Sequence, residues 1–178
     1  YWDDQQSGNT AVDNIFDDNQ FCMLVGGGDW NTVENNIFYS SRASLTLDAR
    51  GEGWQSIADG ASKVSQYESE VGVGNKVWEE KYPYTTKLYN YAKENNMAKI
   101  NAPDESIVRN NILIKTPDFS LANSAIVNAV DISNNERKSD DFIAFENPDN
   151  YDFYYSKESS PSGYDYIDFS GIGIGDKQ

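Results

Sequence analysis

The chain of 178 residues contains no histidine and one cysteine, Cys22. With so few nitrogen and sulfur ligands, neither a zinc centre nor a haem is expected, and no obligatory transition metal is foreseen. A lone cysteine cannot close an internal disulfide, and within Phe21-Cys22-Met23-Leu24-Val25 it reads as a buried thiol filling a strand. Positive charge is scarce: 14 basic residues against 29 acidic ones leave a net charge of -15. A phosphate backbone or an anionic bilayer would be repelled, so no nucleic-acid partner is expected. No apolar run is long enough to cross a membrane. Despite many asparagines there is no Asn-x-Ser/Thr sequon, and no Gly-Lys-Ser/Thr follows Gly26-Gly27-Gly28 to make it a phosphate loop. Neither an Asp-x-Asp-x-Asp-Gly loop nor a tandem Gly-Gly-x-Gly-x-Asp repeat is present. Calcium remains chemically possible through abundant oxygen ligands, but no cofactor is required. The first residues, Tyr1-Trp2-Asp3-Asp4, form neither an initiator methionine nor a signal peptide, so a processed chain or a fragment is expected.

What is present is an ordinary folded composition, 38% hydrophobic and 13% aromatic. Three segments rhyme: Asp13-Asn14-Ile15-Phe16, Glu34-Asn35-Asn36-Ile37-Phe38 and Arg109-Asn110-Asn111-Ile112-Leu113. Each sets asparagine before a β-prone apolar pair. Units recurring at this spacing imply stacking, because one short strand cannot bury its own apolar face. A first cycle ends at the Asp17-Asp18-Asn19 turn and the run 21–25. A second enters a strand at Asn31-Thr32-Val33, continues through Phe38, turns at Ser40-Ser41-Arg42 and leaves through Leu45-Thr46-Leu47 to Asp48. Residues 51–104 break the rhythm with glycine, charge and a helical stretch around Tyr84, Leu88, Tyr91 and Ala92, and read as an insertion. Strands resume at Ile107-Val108 and Ile112-Leu113-Ile114, and again at Ala125-Ile126-Val127 and Val130-Asp131-Ile132. Residues 136–178 read as a tail laid over the stack, with Tyr151, Tyr154, Tyr155, Tyr164 and Tyr166 pinning it to the outer surface.

Several motifs together resemble the right-handed parallel β-helix proteins of the pectate-lyase-like superfamily. They are Asp3-Asp4 with Ser7-Gly8-Asn9, Gly27-Gly28 leading into Glu34-Asn35-Asn36-Ile37-Phe38, and Asp48-Ala49-Arg50-Gly51-Glu52-Gly53-Trp54. Lys81-Tyr82-Pro83 with Leu88 looks like the helical insert of such proteins, and Pro103 to Asn111 like the return to the stack. Asp152-Phe153, Ser160-Pro161 and Ile172-Gly173 resemble their closing sequence. The resemblance implies an all-β fold, a solenoid with a partly helical insertion and an irregular carboxyl-terminal tail. Residues 1–178 would be one β-helix domain or the carboxyl-terminal coils and cap of a longer one. Preceding coils or a neighbouring subunit would then cover the amino-terminal end. It also implies a secreted or cell-surface protein acting on polysaccharide or a cell-surface glycan.

The residues themselves offer several sites. Asp48, Arg50 and Glu52 combine carboxylates with a guanidinium where a strand gives way to the insertion. A carboxylate pair serves acid and base roles on a glycosidic bond, and an arginine neutralises a uronate or a developing anion. The bland alternative is an Asp48–Arg50 ion pair closing a turn, with Trp54 over it. Asp4, beside Asp3, is a second candidate for acid or calcium chemistry, or for a solvated turn. Trp30, Trp54 and Trp78 are candidates for gripping sugar rings, or for simple packing under loops. Asn14, Asn36 and Asn111 are assigned to a structural ladder in which amides bond to one another and to the backbone. Two functions follow as expectations: an extracellular carbohydrate-binding or carbohydrate-cleaving protein, lyase or glycosidase-like if active, and a non-catalytic structural or adhesive component of a surface layer, sheath or filament.

Overall fold

The computed structural model describes residues 1–171 apart from 74, 123 and 163; the Ile172-Gly173 resemblance lies outside them. Eleven strands appear in the order β1 (Thr10–Val12), β2 (Ile15–Asp17), β3 (Met23–Gly26), β4 (Thr32–Glu34), β5 (Ile37–Tyr39), β6 (Leu45–Asp48), β7 (Ser106–Arg109), β8 (Ile112–Ile114), β9 (Ser120–Leu121), β10 (Val130–Ser133) and β11 (Glu136–Lys138). They form three parallel sheets, ordered β1-β4-β7-β10, β11-β8-β5-β2 and β3-β6-β9, so the chain visits the sheets in turn. The first two visits keep a constant register, with Thr10 beside Thr32, Ile15 beside Ile37 and Met23 beside Leu45.

Local chemistry sets the corners. Asp13, Asn35, Asn110 and Asn134 all have left-handed backbone, with φ of 60°, 54°, 55° and 53°. Asparagine and aspartate tolerate this region better than other side chains with a Cβ. Each precedes an asparagine whose side chain is bonded to its neighbour in the column: Asn14 Nδ2 donates to Asn36 Oδ1, Asn36 to Asn111 and Asn111 to Asn135, at 3.0, 3.0 and 2.8 Å. The expected continuous strand from Asn31 through Phe38 is therefore split at Asn35, and its halves lie in different sheets. A second column joins Asn9 to Asn31, whose backbone N–H donates to Ser106 Oγ, and a third joins Asn19, Ser41 and Thr116.

Burial follows from what covers each sheet. In β6 apolar and polar positions alternate, and in β3 Leu24 takes the less buried position, with Met23 and Val25 inward beside Leu45 and Leu47, as for sheets with one dry face. In β5 and β8 every residue is buried. Phe38 and Leu113 face one core with Val33, Leu45 and Val108, and Phe16 stacks on Phe38 at 5.1 Å. Ile37, Tyr39, Ile112 and Ile114 face a second, made by Ile143, Tyr155 and Ile167 of the tail. Tyr155 is buried, whereas Tyr151 and Tyr154 are exposed and do not act as staples. Cys22 lies half-buried just before β3, its thiol pKa raised by burial, and Phe21 is exposed.

Between β6 and β7 lie a 3-10 turn at Arg50–Glu52 and four helices, α1 (Gly60–Gln66), α2 (Lys76–Lys81), α3 (Pro83–Lys93) and α4 (Met97–Asn101), with a π turn at Tyr67–Val71 following α1. Asp59 caps α1 by accepting from Ser62 N–H, and Pro83 opens α3. Gly60 lets the two cross closely, since a Cβ there would fall 2.0 Å from the Ala92 carbonyl. A fifth helix, α5 (Ser124–Ala129), occupies the segment where Ala125-Ile126-Val127 reads as a strand. Ile126 is fully buried in the first core, and that packing overrides the β preference of branched side chains.

The all-β, right-handed parallel β-helix solenoid is thus corrected. The strands are short, in three parallel sheets of 3–4 strands, and 29% of the chain is helical, so the protein is an α/β fold. The resemblance to the pectate-lyase-like superfamily is corrected with it. Apolar runs of three or four residues record that two faces are covered, and they do not record whether strands, helices or a tail cover them. Among the described residues no helix is long and apolar enough to cross a membrane.

Candidate functional site

The Asp48–Arg50 segment and the residues around Trp30 meet different fates. Arg50 follows β6 and its side chain is only 6% exposed. Its Nε bonds Asp48 Oδ2 at 3.0 Å, while Nη1 pairs with Asp3 and, at 3.3 Å, with Asp4. Trp54, itself exposed, lies with its ring 5.5 Å from the guanidinium carbon. Burial opposes the charge, yet Tyr1, Asp3 and Asp48 outweigh it and hold the guanidinium pKa above its ordinary value. Three carboxylates thus already surround a cation supplied by the chain itself, which clamps the amino-terminal segment to the end of β6. Glu52 sits exposed on the same turn, outside this set. Among the described residues no group of three or more acidic, cysteine or histidine side chains could hold a metal ion.

Trp30 and Trp78 are brought together although 48 positions apart in sequence. Ring centroids run from Trp78 to Tyr82 at 4.7 Å, Tyr82 to Tyr84 at 6.1 Å, and Tyr84 to Trp30 at 5.6 Å. Trp78 Nε1 donates to Thr85 Oγ1 at 2.7 Å, fixing the bend between α2 and α3. Trp30 has φ of 53°, costly for so bulky a residue. It is held there by its backbone N–H to the Asp104 carbonyl at 3.1 Å and by Nε1 to Glu105 Oε2 at 2.9 Å. Lys87 pairs with Glu105 and sits 5.5 Å from the Trp30 ring centre. The hydrogen bonds from Lys87 and Trp30 keep the Glu105 carboxyl below its ordinary pKa. Gly8, with φ of 74°, leaves room for Tyr84, whose ring would stand 3.0 Å from a Cβ at that position. Beside Trp78 and Tyr82 opens a hollow of about 270 Å³, bounded also by Val77 and Lys81.

Asp29, adjoining Trp30, is absent from the sequence candidates. It is 3% exposed, its Oδ1 accepts the Asp104 N–H at 2.7 Å, and burial raises its pKa to about 7. The Asp104 hydrogen bond and Lys99 act the other way, while the charges of Asp104 and Glu105 reinforce the rise. It lines a cavity of about 160 Å³ with Asp4, Gln5, Ser7, Lys63 and Tyr67. The only local signal was an aspartate closing a glycine run, which reads as a turn. Two larger hollows lie elsewhere, one of about 570 Å³ along α1 from Ile57 to Glu70 and one of about 510 Å³ between Asp13–Ile15 and the tail around Tyr151, Phe153 and Phe169.

Asn36 and Asn111 are buried in the middle of the corner column, with the exposed Asn14 at one end and Asn135 at the other. Neither a family model nor a curated protein nor a solved structure matches the chain. The carbohydrate expectation therefore loses the support of resemblance and stands only on the rings described above.

Proposed function

We propose that the protein binds polysaccharide or a cell-surface glycan along the row Trp30, Tyr84, Tyr82 and Trp78, outside the cell or at its surface. The observation that carries this reading is the row itself: four aromatic rings in unbroken succession across α2, α3 and the corner before β4. A sugar ring presents C–H bonds on its faces and hydroxyls on its rim, so it packs against an aromatic face while its edge seeks polar partners. Lys81, Lys87 and Glu105 flank the rings and supply those partners. The strain held at Trp30 adds weight, because backbone in a costly conformation persists where its surroundings over-determine it. Arg50, enclosed by Asp3, Asp4 and Asp48, supports a clamp rather than a group awaiting substrate.

The test is calorimetric titration with soluble oligosaccharides after a glycan array, with a product assay run alongside. Binding that falls at least about tenfold in Trp78→Ala, with the fold intact by circular dichroism, is expected. Equal binding by Trp78→Ala and Tyr82→Ala variants would sink the reading. Turnover by the wild type that disappears in Asp48→Asn would replace it with a catalytic one.

A further inference from the structure

Asp29 is a buried carboxylate without a cation in contact. Its surroundings are acidic: Asp104 and Glu105 come from the segment entering β7, and Asp4 from the amino-terminal segment across the cavity. The positive groups nearby are engaged elsewhere, Lys99 from α4 with Asp104 and Lys63 from α1 with Gln66 Oε1 at 3.0 Å. Among the described residues no ion pair to Lys or Arg includes Asp29; Lys87 goes to Glu105. Tyr67, at the start of the π turn, has its phenol pKa raised by burial and by the charge of Asp29. Burying a carboxylate in this way is costly unless a cation arrives.

The cavity has the complementary acceptors. Besides Asp29 it presents the oxygens of Tyr67, Gln5 and Ser7 to the N–H donors of an ammonium group, while Asp4 is held by Arg50 and Gln55 and Lys63 stands in the same wall, turned to Gln66. At about 160 Å³ it is below the roughly 300 Å³ at which pockets for whole small ligands begin. It accepts one substituent or one unit, and a longer chain must rest outside. The aromatic row provides that rest. Asp29 is the residue before Trp30, Ser7 the residue before the Gly8 that faces Tyr84, and Leu88, in the cavity wall, lies one turn beyond Tyr84 on α3.

We propose that this cavity receives the ammonium group of an amino-sugar unit in a glycan laid on the aromatic row. The inference rests on the glycan reading above and names the class of sugar. An ammonium seated against Asp29 forms charge-assisted hydrogen bonds that a neutral acetamido group cannot.

The test is calorimetric titration of the full chain at about pH 6 with glucosamine oligomers, their N-acetylated counterparts, free glucosamine and a lysine-containing peptide. A preference of at least about tenfold for glucosamine oligomers over acetylated ones is expected. Asp29→Asn should bring the two oligomers to the same affinity, and Trp78→Ala should weaken both. Because Asp29, with its pKa raised to about 7, carries a proton in most molecules at this pH, seating the ammonium should release it. The measured heat of the wild type, and not of Asp29→Asn, should then vary with the ionisation enthalpy of the buffer. Equal affinities, or a preference that survives in Asp29→Asn and so reflects only net negative charge, overturn the inference. Tighter Asp29-dependent binding of the peptide does so too, transferring the site to a protein ligand. If neither oligomer binds, the glycan reading fails by itself. The cavity is then judged on free glucosamine: Asp29-dependent proton release supports it, and no release overturns it.

Discussion

The strand-built body and the helical insert treat their polar groups in opposite ways. In the body, buried amides are used up by one another: Asn36 is fully buried, accepts from Asn14 and donates to Asn111, Ala11 and Glu34. Where the insert docks, Asp29 is buried against a cavity and enters no ion pair among the described residues, while the row of four aromatic rings starts at the next residue, Trp30. Satisfied polar columns rigidify and hold the corners of the sheets. A buried acid and a surface row of rings stabilise little, and the proposed glycan binding rests on them.

The contrast can be broken first at Arg50, the joint between the two regions. Arg50→Met leaves Asp3, Asp4 and Asp48 facing one another without their cation, and about 3 kcal/mol of stability should be lost, the low end for a broken buried pair because Asp3 and Asp4 are 46% and 66% exposed and screened by water, read from the urea unfolding midpoint. A loss under about 1 kcal/mol would show that the clamp is ornamental. Next is Asn36→Ala, which strands the partners of a fully buried amide and should cost about 3 kcal/mol by the same measurement.

Asp29→Asn should do the reverse. The native carboxyl titrates near 7 against an ordinary value of 3.8, so the folded chain retains a proton that the unfolded chain has already released. The contribution of Asp29 to native stability therefore falls as pH rises from about 4 to 7 and is level above. Asparagine can still accept the Asp104 N–H and carries no charge. The variant should be more stable than the wild type by about 2–4 kcal/mol at pH 8, with the gap closing towards pH 4 in thermal melts. A pH-independent gap would show that Asp29 is not buried as a charge. Smallest in stability is Trp78→Ala, at about 1 kcal/mol for a half-buried ring, although it should be the variant with the clearest loss of glycan affinity.

Much of the corner chemistry can be read along the chain. The doublets Asp13-Asn14, Asn35-Asn36, Asn110-Asn111 and Asn134-Asn135 suit left-handed turns, because the tolerance of that conformation belongs to the residue itself, yet the apolar residues either side of Asn35 read as one strand through it. Ser41 lies in the turn that Ser40-Ser41-Arg42 marks, whereas Ser106 and Thr116 follow Glu105 and Lys115, residues that do not signal the left-handed backbone they adopt. Ala125-Ile126-Val127 misleads because three apolar residues suit either a strand or a buried turn of helix, and only the core around Ile126 decides. The tryptophans are visible as residues, but nothing local says that Trp30 and Trp78 share a surface while Trp54 covers Arg50.

The sequence alone determined the turns, the spacing of the short strands and the acidic balance, since each depends on the residue and its immediate neighbours. The α/β architecture, the covering of β5 and β8 by the tail, the row of rings and the Asp29 cavity were decided by tertiary structure. They join positions as distant as Ser7, Asp29, Tyr67 and Leu88, and burial, which sets both the pKa of Asp29 and the setting of Trp30, is a property of what packs against a residue rather than of the residue itself.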